Sequence, residues 1–297
     1  MLKALSYYLS LPFIYAVSLL PFPLLYRLSD GFYLLLFHVV KYRRKVVMTN
    51  LRRSFPQKSE EELRAISKSF YRHLADLALE TLKTLTISPK QLRKRVTLGD
   101  YSALEHYHRQ NQSVILVMGH YGNWELAGAR FALEPLHTLF VIYHPLRNRY
   151  FERLFCRMRT RHGTRLYPMK TALRGIMRDR GQLTATAFIA DQSPPASGAY
   201  WTRFLNQDTA IFTGTEKIAR KLGYPVIYVS VKSPRRGLYY VDAEVLSDDP
   251  AGTAENDISE RQTRRLEQDI IERPEFWLWT HRRWKRQPER GEHTQNA

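Results

Sequence analysis

The 297-residue sequence contains a single cysteine, Cys156. An intrachain disulfide is therefore excluded, and the sequence gives no sign of an oxidising compartment. Cys156 lies in an arginine-rich stretch without a local partner for nucleophilic chemistry, so we interpret it as a packed free thiol. The chain also lacks the GxSxG turn of serine hydrolases and the HExxH pattern of zinc proteases. Both absences argue against those classes of enzyme.

Acidic residues are scarce, with 28 Asp and Glu against 46 Lys and Arg and a formal net charge of +18. This excess indicates a polyanionic partner: nucleic acid, an anionic membrane surface, a phosphorylated substrate or an acidic carrier protein. Zinc-finger spacing and an RRM signature are both absent, and nucleic-acid binding would not account for the apolar N-terminus. We therefore expect no nucleic-acid partner.

Charge is missing altogether from residues 4–26, which are rich in Leu, Tyr and Phe and long enough to cross a bilayer core. Three interpretations stand: a signal peptide, a helix of a soluble core, and a membrane anchor that spans the bilayer or lies in its interface. The apolar run continues past any plausible cleavage site, which argues against a signal peptide. A second apolar run, at 32–40, ends in the basic residues of 41–45. This order favours an anchor whose following domain is cytoplasmic and lies against anionic lipid.

From residue 59 onward, strand and helix patterns alternate. Ser59 and Glu62 form a capping box at the start of a helix that runs to about residue 86, after a turn-like connector at 50–56. We predict strands at 114–118, 138–143, 184–189, 225–232 and 238–245, the last two as a hairpin, and helices at 123–133, 148–162, 171–180, 213–222 and 259–272. The alternation predicts an α/β fold with a mixed, mostly parallel central sheet flanked by helices, and a site at the carboxyl ends of the strands.

These patterns divide the chain into three parts. Residues 1–45 form the predicted anchor with its basic juxtamembrane segment, 46–288 the α/β domain, and 289–297 a polar tail that we predict to be disordered.

The sequence GHYGNWE at 119–125, between a predicted strand and a predicted helix, has the residues of a catalytic site. On a continuous helix His120 and Glu125 would point about 140° apart, but they can pair if His120 lies on the turn and Glu125 in the first helical turn. Asn123 is a good N-cap residue, and the positive helix end favours a charged Glu125. Such a pair is a general base with its orienting carboxylate. A histidine after a strand is also commonly a satisfied polar residue, and the local pattern leaves both interpretations open.

Two further polar residues follow a predicted strand, and a third lies in the predicted helix at 148–162. Asp191 and Gln192 end the strand at 184–189, where they could also cap a turn. Arg159 belongs to a run of arginines that, on pattern alone, is typical of a solvated basic face.

Four separated motifs, in the same order, resemble those of the late acyltransferases of lipid A biosynthesis, the lauroyl and myristoyl transferases of Gram-negative inner membranes. The motifs are NLRRSFP at 50–56, GHYGNWE at 119–125, DQ at 191–192 followed by Phe204, and PEFWLWTHRRWK at 274–285. The resemblance covers nearly the whole chain. Where the family has Phe-Phe-Gly, this chain has Phe204-Leu205-Asn206, and Asp191-Gln192 is followed by a stiff Ser-Pro-Pro. Both departures concern substrate recognition.

The resemblance implies a fold like that of glycerolipid acyltransferases and an enzyme on the cytoplasmic side of the inner membrane. It implies transfer of a fatty acyl group from acyl carrier protein to a hydroxyl of a lipid A precursor. No metal or cofactor is implied, because the thioester is already activated. An amino-acid lipid, a glycerolipid or a glycosylated phospholipid stays open as the acceptor. Related glycerolipid enzymes have Asp where this chain has Glu125, which favours the lipid A branch.

The resemblance also implies roles for individual residues. His120 takes the proton of the acceptor hydroxyl, and Glu125 holds the imidazole tautomer and stabilises the imidazolium. Substrate contacts are implied for Arg159, Asp191 and Gln192, and likewise for Asn123. The oxyanion of the tetrahedral intermediate needs hydrogen-bond donors, and the backbone N–H groups around 122–123 and the guanidinium of Arg159 are both candidates.

Overall fold

The structure is a computed structural model that describes residues 2–194 and 199–286. Its helices are α1 (Leu2–Leu19), α2 (Phe22–Leu34), α3 (Arg44–Ser54), α4 (Glu60–Lys83), α5 (Pro89–Arg95), α6 (Ser102–Arg109), α7 (Trp124–Phe131), α8 (Arg149–Thr160), α9 (Ala172–Arg178), α10 (Gly214–Leu222) and α11 (Asp257–Glu272). Its strands are β1 (Val96–Leu98), β2 (Val114–Met118), β3 (Thr138–Tyr143), β4 (Arg165–Pro168), β5 (Thr184–Ile189), β6 (Tyr200–Phe204), β7 (Gln207–Ile211), β8 (Val226–Arg235) and β9 (Leu238–Ser247). The predicted tail at 289–297 lies outside the described residues.

Seven strands form the central sheet in the order β1-β9-β8-β2-β5-β3-β4. The neighbouring strands run parallel, apart from β8 and β9, which form the predicted antiparallel hairpin. The prediction of a mixed, mostly parallel sheet is therefore confirmed. The central strands β2 and β5 are buried almost throughout, as expected of parallel strands covered on both faces.

The predicted connector at 50–56 is wrong, because most of it belongs to helix α3. Asn50 and the two arginines that follow it look like a polar turn before Pro56, but Val47 and Leu51 are four residues apart and fully buried. This apolar stripe packs α3 on α4. The capping box at Ser59 is confirmed, since its side chain accepts from Glu62 N and its N–H donates to the Glu62 carboxylate.

Helices α1 and α2 pack on α4 through buried polar contacts as well as apolar ones. The Lys83 ammonium donates to the carbonyls of Ser18 and Leu20 at 2.7 and 2.8 Å. The Ser29 hydroxyl donates to the Asp76 carboxylate at 2.6 Å. The outer sides of the same two helices expose large apolar side chains: Leu5, Tyr8, Leu9, Phe13, Leu19, Leu24, Leu28 and Leu34.

The uncharged run at 4–26 forms two helices, not one. Pro21 separates α1 from α2, and across residues 2–194 and 199–286 no helix is long and apolar enough to cross a membrane. A spanning anchor is thus not found. The interfacial alternative and the boundary at residue 45 stay predictions.

Candidate active site

The sheet brings His120 and Asp191 together at one edge. Strands β2 and β5 are parallel neighbours, and their last residues, Met118 and Ile189, are paired in register. The chain leaves both strands at the same level, so the residues two positions further on face each other. Both side chains follow the carboxyl ends of strands, where the sequence predicted a site.

Asp191 is the carboxylate that holds His120. Its Oδ1 lies 2.6 Å from His120 Nδ1, and its Oδ2 accepts the backbone N–H of the same histidine at 2.9 Å. Nδ1 therefore carries the proton in the neutral ring, which leaves the Nε2 lone pair free to accept another. The sequence predicted Glu125 in this position, but the structure pairs Glu125 elsewhere.

The Asp191 side chain is itself fixed in place. It is buried, and the indole N–H of Trp277 donates to its Oδ2 at 2.8 Å. Burial alone raises the pKa of this carboxyl, but the charge of His120 and the hydrogen bonds from His120 and Trp277 outweigh it and lower the pKa to about 2. Trp277 belongs to the closing motif at 274–285, and the sequence indicated no role of its own for it. Its contact with Asp191 arises from tertiary structure and leaves no signal in the motif spacing.

Glu125 forms a bidentate ion pair with Arg159. The guanidinium donates through Nε and Nη2 to both carboxylate oxygens, at distances from 2.5 to 3.2 Å. Burial lowers the pKa of Arg159, but the hydrogen bonds and charge of Glu125 raise it overall. The arginine therefore turns inward from α8 and does not belong to the solvated face that pattern alone suggested. A bidentate pair of this kind fixes the guanidinium plane.

One cavity of about 320 Å³ connects these groups. His120, Glu125, Arg159 and Gln192 line it together, and Gln192 is exposed with its Nε2 3.5 Å from His120 Nε2. The remaining walls are mainly apolar: Leu104, Leu116, Ala127, Gly128, Phe131, Leu139, Val141, Phe155, Met158 and Val229. The exposed lining residues mark the mouth: His144, Leu146, Met169 and Gln192. The volume and lining are those of a small-molecule site.

Asn123, predicted to contact substrate, is instead completely buried and does not line the cavity. Its side-chain oxygen caps α7 by accepting from Leu126 N at 2.9 Å, as its predicted N-cap role requires. Its Nδ2 donates to Glu80 at 2.7 Å. Glu80 also accepts the hydroxyls of Tyr26 and Tyr239, each at 2.6 Å, and burial raises the pKa of its carboxyl. Asn123 therefore positions the turn, because both ends of its amide are used inside the protein.

The turn between β2 and α7 requires glycine at position 122. Gly122 has a φ of +62°, and a Cβ there would collide with the carbonyl oxygen of Val231. Its N–H donates to the Phe276 carbonyl at 3.1 Å, and the His120 carbonyl accepts from Leu278 N at 3.2 Å. The Gly122 N–H, one of the predicted oxyanion donors, is therefore already used within the protein.

Acid is expected to destabilise this turn through His73, whose Nε2–H donates to the Gly122 carbonyl. Burial lowers the pKa of His73 from 6.5 to about 4. Between these values the unfolded chain binds a proton that the folded protein does not, so stability is full above pH 6.5 and falls as the pH approaches 4. The expected loss at pH 4 is about 3 kcal/mol. Urea unfolding of wild type and His73→Gln across this range measures it, and an unchanged pH slope in the variant would contradict it.

Within the described ranges, no three His, Cys, Asp or Glu side chains converge in a way that could hold a metal ion.

The chain is similar to known proteins along almost its whole length. The family model for bacterial lipid A biosynthesis acyltransferases matches residues 1–286. A lipid A biosynthesis palmitoleoyltransferase of Escherichia coli K12 is 26% identical over 272 residues, 91% of this chain and 87% of that protein. A lipid A biosynthesis lauroyltransferase of the same bacterium is 24% identical over 286 residues, 95% and 92% of the two chains. The family that the four sequence motifs indicated is confirmed.

Proposed function

Because the chain belongs to the bacterial lipid A biosynthesis acyltransferases and is thus an acyltransferase, we propose that it moves a fatty acyl group from acyl carrier protein to a hydroxyl of a lipid A precursor. The observation that carries the proposal is the unprotonated Nε2 of His120, which lies beside Gln192 at the open end of a mainly apolar cavity. A proton acceptor next to an apolar cavity suits attack by a hydroxyl on the carbonyl of a long-chain thioester.

His120 acts as the general base. Its Nε2 takes the proton of the acceptor hydroxyl while that oxygen attacks the thioester carbonyl, and Asp191 on Nδ1 stabilises the imidazolium that forms. The tetrahedral intermediate then collapses: the carbon–sulfur bond breaks, and the imidazolium returns its proton to the leaving thiolate. The acyl oxygen ester and a free thiol are the products.

Arg159 stabilises the oxyanion of that intermediate. Its guanidinium lines the same cavity as His120 and is held by two-point pairing with Glu125. Positive charge fixed in a partly buried site needs no reorganisation when negative charge develops beside it. Glu125 thus acts on the reaction through Arg159. Direct pairing of Glu125 with His120, as the sequence predicted, is the alternative.

The acyl chain occupies the apolar cavity, and a larger side chain at position 128 should shorten that cavity. Gly128 lines the cavity, and a Cβ added there would meet only Leu139, at 3.9 Å. We expect the Met side chain of the Gly128→Met variant to project into the space that the acyl chain occupies. The ratio of kcat/KM for the preferred acyl length to kcat/KM for a chain four carbons shorter should then fall about tenfold or more below the wild-type ratio. Competition between two acylated carrier proteins, read by mass spectrometry, measures the ratio.

Cys156 supplies the control for this experiment, because it lines the same cavity. Burial raises the pKa of its thiol, which disfavours the thiolate that a covalent acyl-enzyme would need. Cys156→Ala should therefore keep both the rate and the chain-length preference. An unchanged preference in Gly128→Met would place the chain elsewhere, and loss of transfer in Cys156→Ala would replace direct transfer by a covalent route.

The N-terminal helices attach the enzyme to the membrane surface. The exposed apolar sides of α1 and α2 are followed by the basic residues of 41–45, an order typical of segments that lie in the interface against anionic lipid. We propose attachment to the cytoplasmic face of the inner membrane. There the enzyme meets acyl carrier protein in solution and the lipid acceptor in the bilayer.

The identity of the acceptor is tested with the detergent-purified protein. Acylated carrier protein is offered with a panel of acceptors: a lipid A precursor, an amino-acid lipid, a glycerolipid and a glycosylated phospholipid. Gain of one acyl group by the lipid A precursor, detected by mass spectrometry and absent with His120→Ala, supports the proposal. Acylation of another acceptor alone would keep the chemistry and overturn the assignment to lipid A.

A further inference from the structure

Half of the chain's net positive charge lies in one short segment around α8 and α9. Residues 144–180 contain eleven Lys and Arg and two acidic residues, a net charge of +9 out of +18 for the whole chain. Neither acidic residue is fully exposed. Glu152 accepts from Leu146 N and the Tyr143 hydroxyl, and Asp179 accepts from Tyr167 and pairs with Arg178. The outer surface of this segment is therefore uniformly cationic.

On α8 and its C-cap residue, Arg161, this charge forms an ordered stripe. Arg149, Arg153, Arg157 and Arg161 follow one another at intervals of four residues, and all four are exposed. Such spacing keeps side chains on one side of a helix, over a length of about 18 Å. In the described part of the chain, none of these four arginines pairs with a carboxylate. Their charge is therefore available to a partner. We call these four residues the α8 arginine stripe.

The stripe begins next to the mouth of the cavity. His144 and Leu146, which line the mouth and are exposed, lie on the loop that leads into α8. The inner side of the same helix provides Cys156 and Arg159 to the cavity wall. A partner seated on the stripe is thus held beside the opening through which an acyl chain enters.

The stripe and the apolar surface of α1 point in different directions. The two helices meet through one apolar cluster, made of Tyr7, Leu11 and Ile14 of α1 and Phe151, Leu154, Phe155 and Met158 of α8, and through Tyr150 of α8, which touches Tyr7 and Tyr8. By helical periodicity, the exposed Leu5, Leu9 and Phe13 lie on the side of α1 that is turned away from α8. Arg153 and Arg157 in the middle of the stripe are likewise turned away from the side of α8 that contacts α1. At its ends, Arg149 donates to the Tyr150 hydroxyl and Arg161 to the Thr84 carbonyl. A partner in water can therefore reach the stripe while α1 rests on lipid.

We infer that the α8 arginine stripe is the docking surface for the acidic acyl carrier protein that delivers the donor chain. This inference rests on the proposed function and adds to it the place where the donor binds. A row of unpaired cations matches an acidic protein surface, steers its approach and weakens with salt. The position beside the mouth accounts for how a chain tethered to that protein reaches His120.

Charge reversal on the stripe tests the inference. Arg153→Glu with Arg157→Glu is compared with Lys217→Glu combined with Lys221→Glu, an equally spaced, exposed pair on α10, which contributes no residue to the cavity. With dodecanoyl carrier protein as donor, we expect KM to rise about tenfold or more in the stripe variant, with kcat unchanged and the salt dependence of kcat/KM reduced. The α10 variant should keep the wild-type KM, and dodecanoyl pantetheine should have the same KM with all three proteins.

Binding measured without turnover separates this inference from the proposed function. The affinity of labelled dodecanoyl carrier protein, read by fluorescence anisotropy, should fall in the stripe variant alone. Equal affinity in wild type and stripe variant would overturn the inference even where transfer proceeds. Loss of binding to vesicles of phosphatidylglycerol with unchanged carrier affinity would assign the stripe to lipid and overturn it as well. If the wild-type protein bound the carrier protein through the stripe but transferred no acyl group, the proposed function would be overturned and the docking inference would stand.

Discussion

Replacement of Asp191 by asparagine is expected to lower kcat about 10³- to 10⁴-fold in a protein that still folds. Asparagine has nearly the same shape and can still accept the Trp277 indole N–H and the His120 backbone N–H. It cannot supply the negative charge that stabilises an imidazolium. Its NH₂ group can also donate to Nδ1, which would put the proton on Nε2 and leave no base facing the cavity.

The matched comparison is Glu125→Gln, which tests the carboxylate that the sequence favoured. Because Glu125 holds Arg159, we expect its removal to lower kcat about 10²- to 10³-fold without changing the tautomer of His120. Proton NMR of the imidazole N–H groups distinguishes the two: the Nδ1–H signal should persist in Glu125→Gln and disappear in Asp191→Asn. The opposite result would restore Glu125 as the orienting carboxylate and reduce Asp191 to a structural residue.

His120→Ala is expected to remove transfer, with a loss of about 10²- to 10⁴-fold or down to the background rate. The side chain touches Trp124 edge to face, with ring centroids 4.9 Å apart, and is partly exposed. Asp191 keeps two of its donors in the variant, the backbone N–H of residue 120 and the indole of Trp277. The fold should therefore survive, as circular dichroism and thermal unfolding would show.

Chemical rescue makes this prediction sharper. The space left by the ring opens to the cavity, so added imidazole should restore part of the rate in His120→Ala and none in Asp191→Asn. His144→Ala, at the exposed mouth of the same cavity, is the control and should stay close to wild type. Full activity of His120→Ala without imidazole would contradict the general-base mechanism.

The sequence predicted those strands whose own residues favour the β conformation. The runs 114–118, 138–143 and 184–189 are apolar or β-branched and were placed at the observed ends of β2, β3 and β5. Strands β1, β4, β6 and β7 have three to five residues each and were missed. Pairing, not composition, stabilises them: β4 contains Arg165 and Pro168 and is a strand only because it lines up with β3.

Five of the six candidate site residues lie at one cavity, but the contacts between them were not predictable, and the sixth, Asn123, is buried away from it. His120, Glu125, Arg159, Asp191 and Gln192 all line or adjoin one cavity, as the motifs suggested. Which carboxylate meets which base depends on the adjacency of β2 and β5, and on how α7 packs beside α8. The spacing of residues within one motif does not indicate the order of strands in the sheet. The sequence therefore predicted that His120 pairs with Glu125, the nearest carboxylate in sequence, and not with Asp191, which is 71 residues away.

Glu80 joins the N-terminal helices to the turn that carries His120. Tyr26 of α2 and Asn123 of the turn donate to the two oxygens of this one buried carboxylate. Cutting the chain before α3 would remove the tyrosine and would also strip Lys83 of its two carbonyl acceptors. Each buried polar group left without a partner costs about 1–3 kcal/mol. Deleting the apolar N-terminal helices to ease purification should therefore destabilise the protein. Purifying the full chain in detergent should give an active preparation.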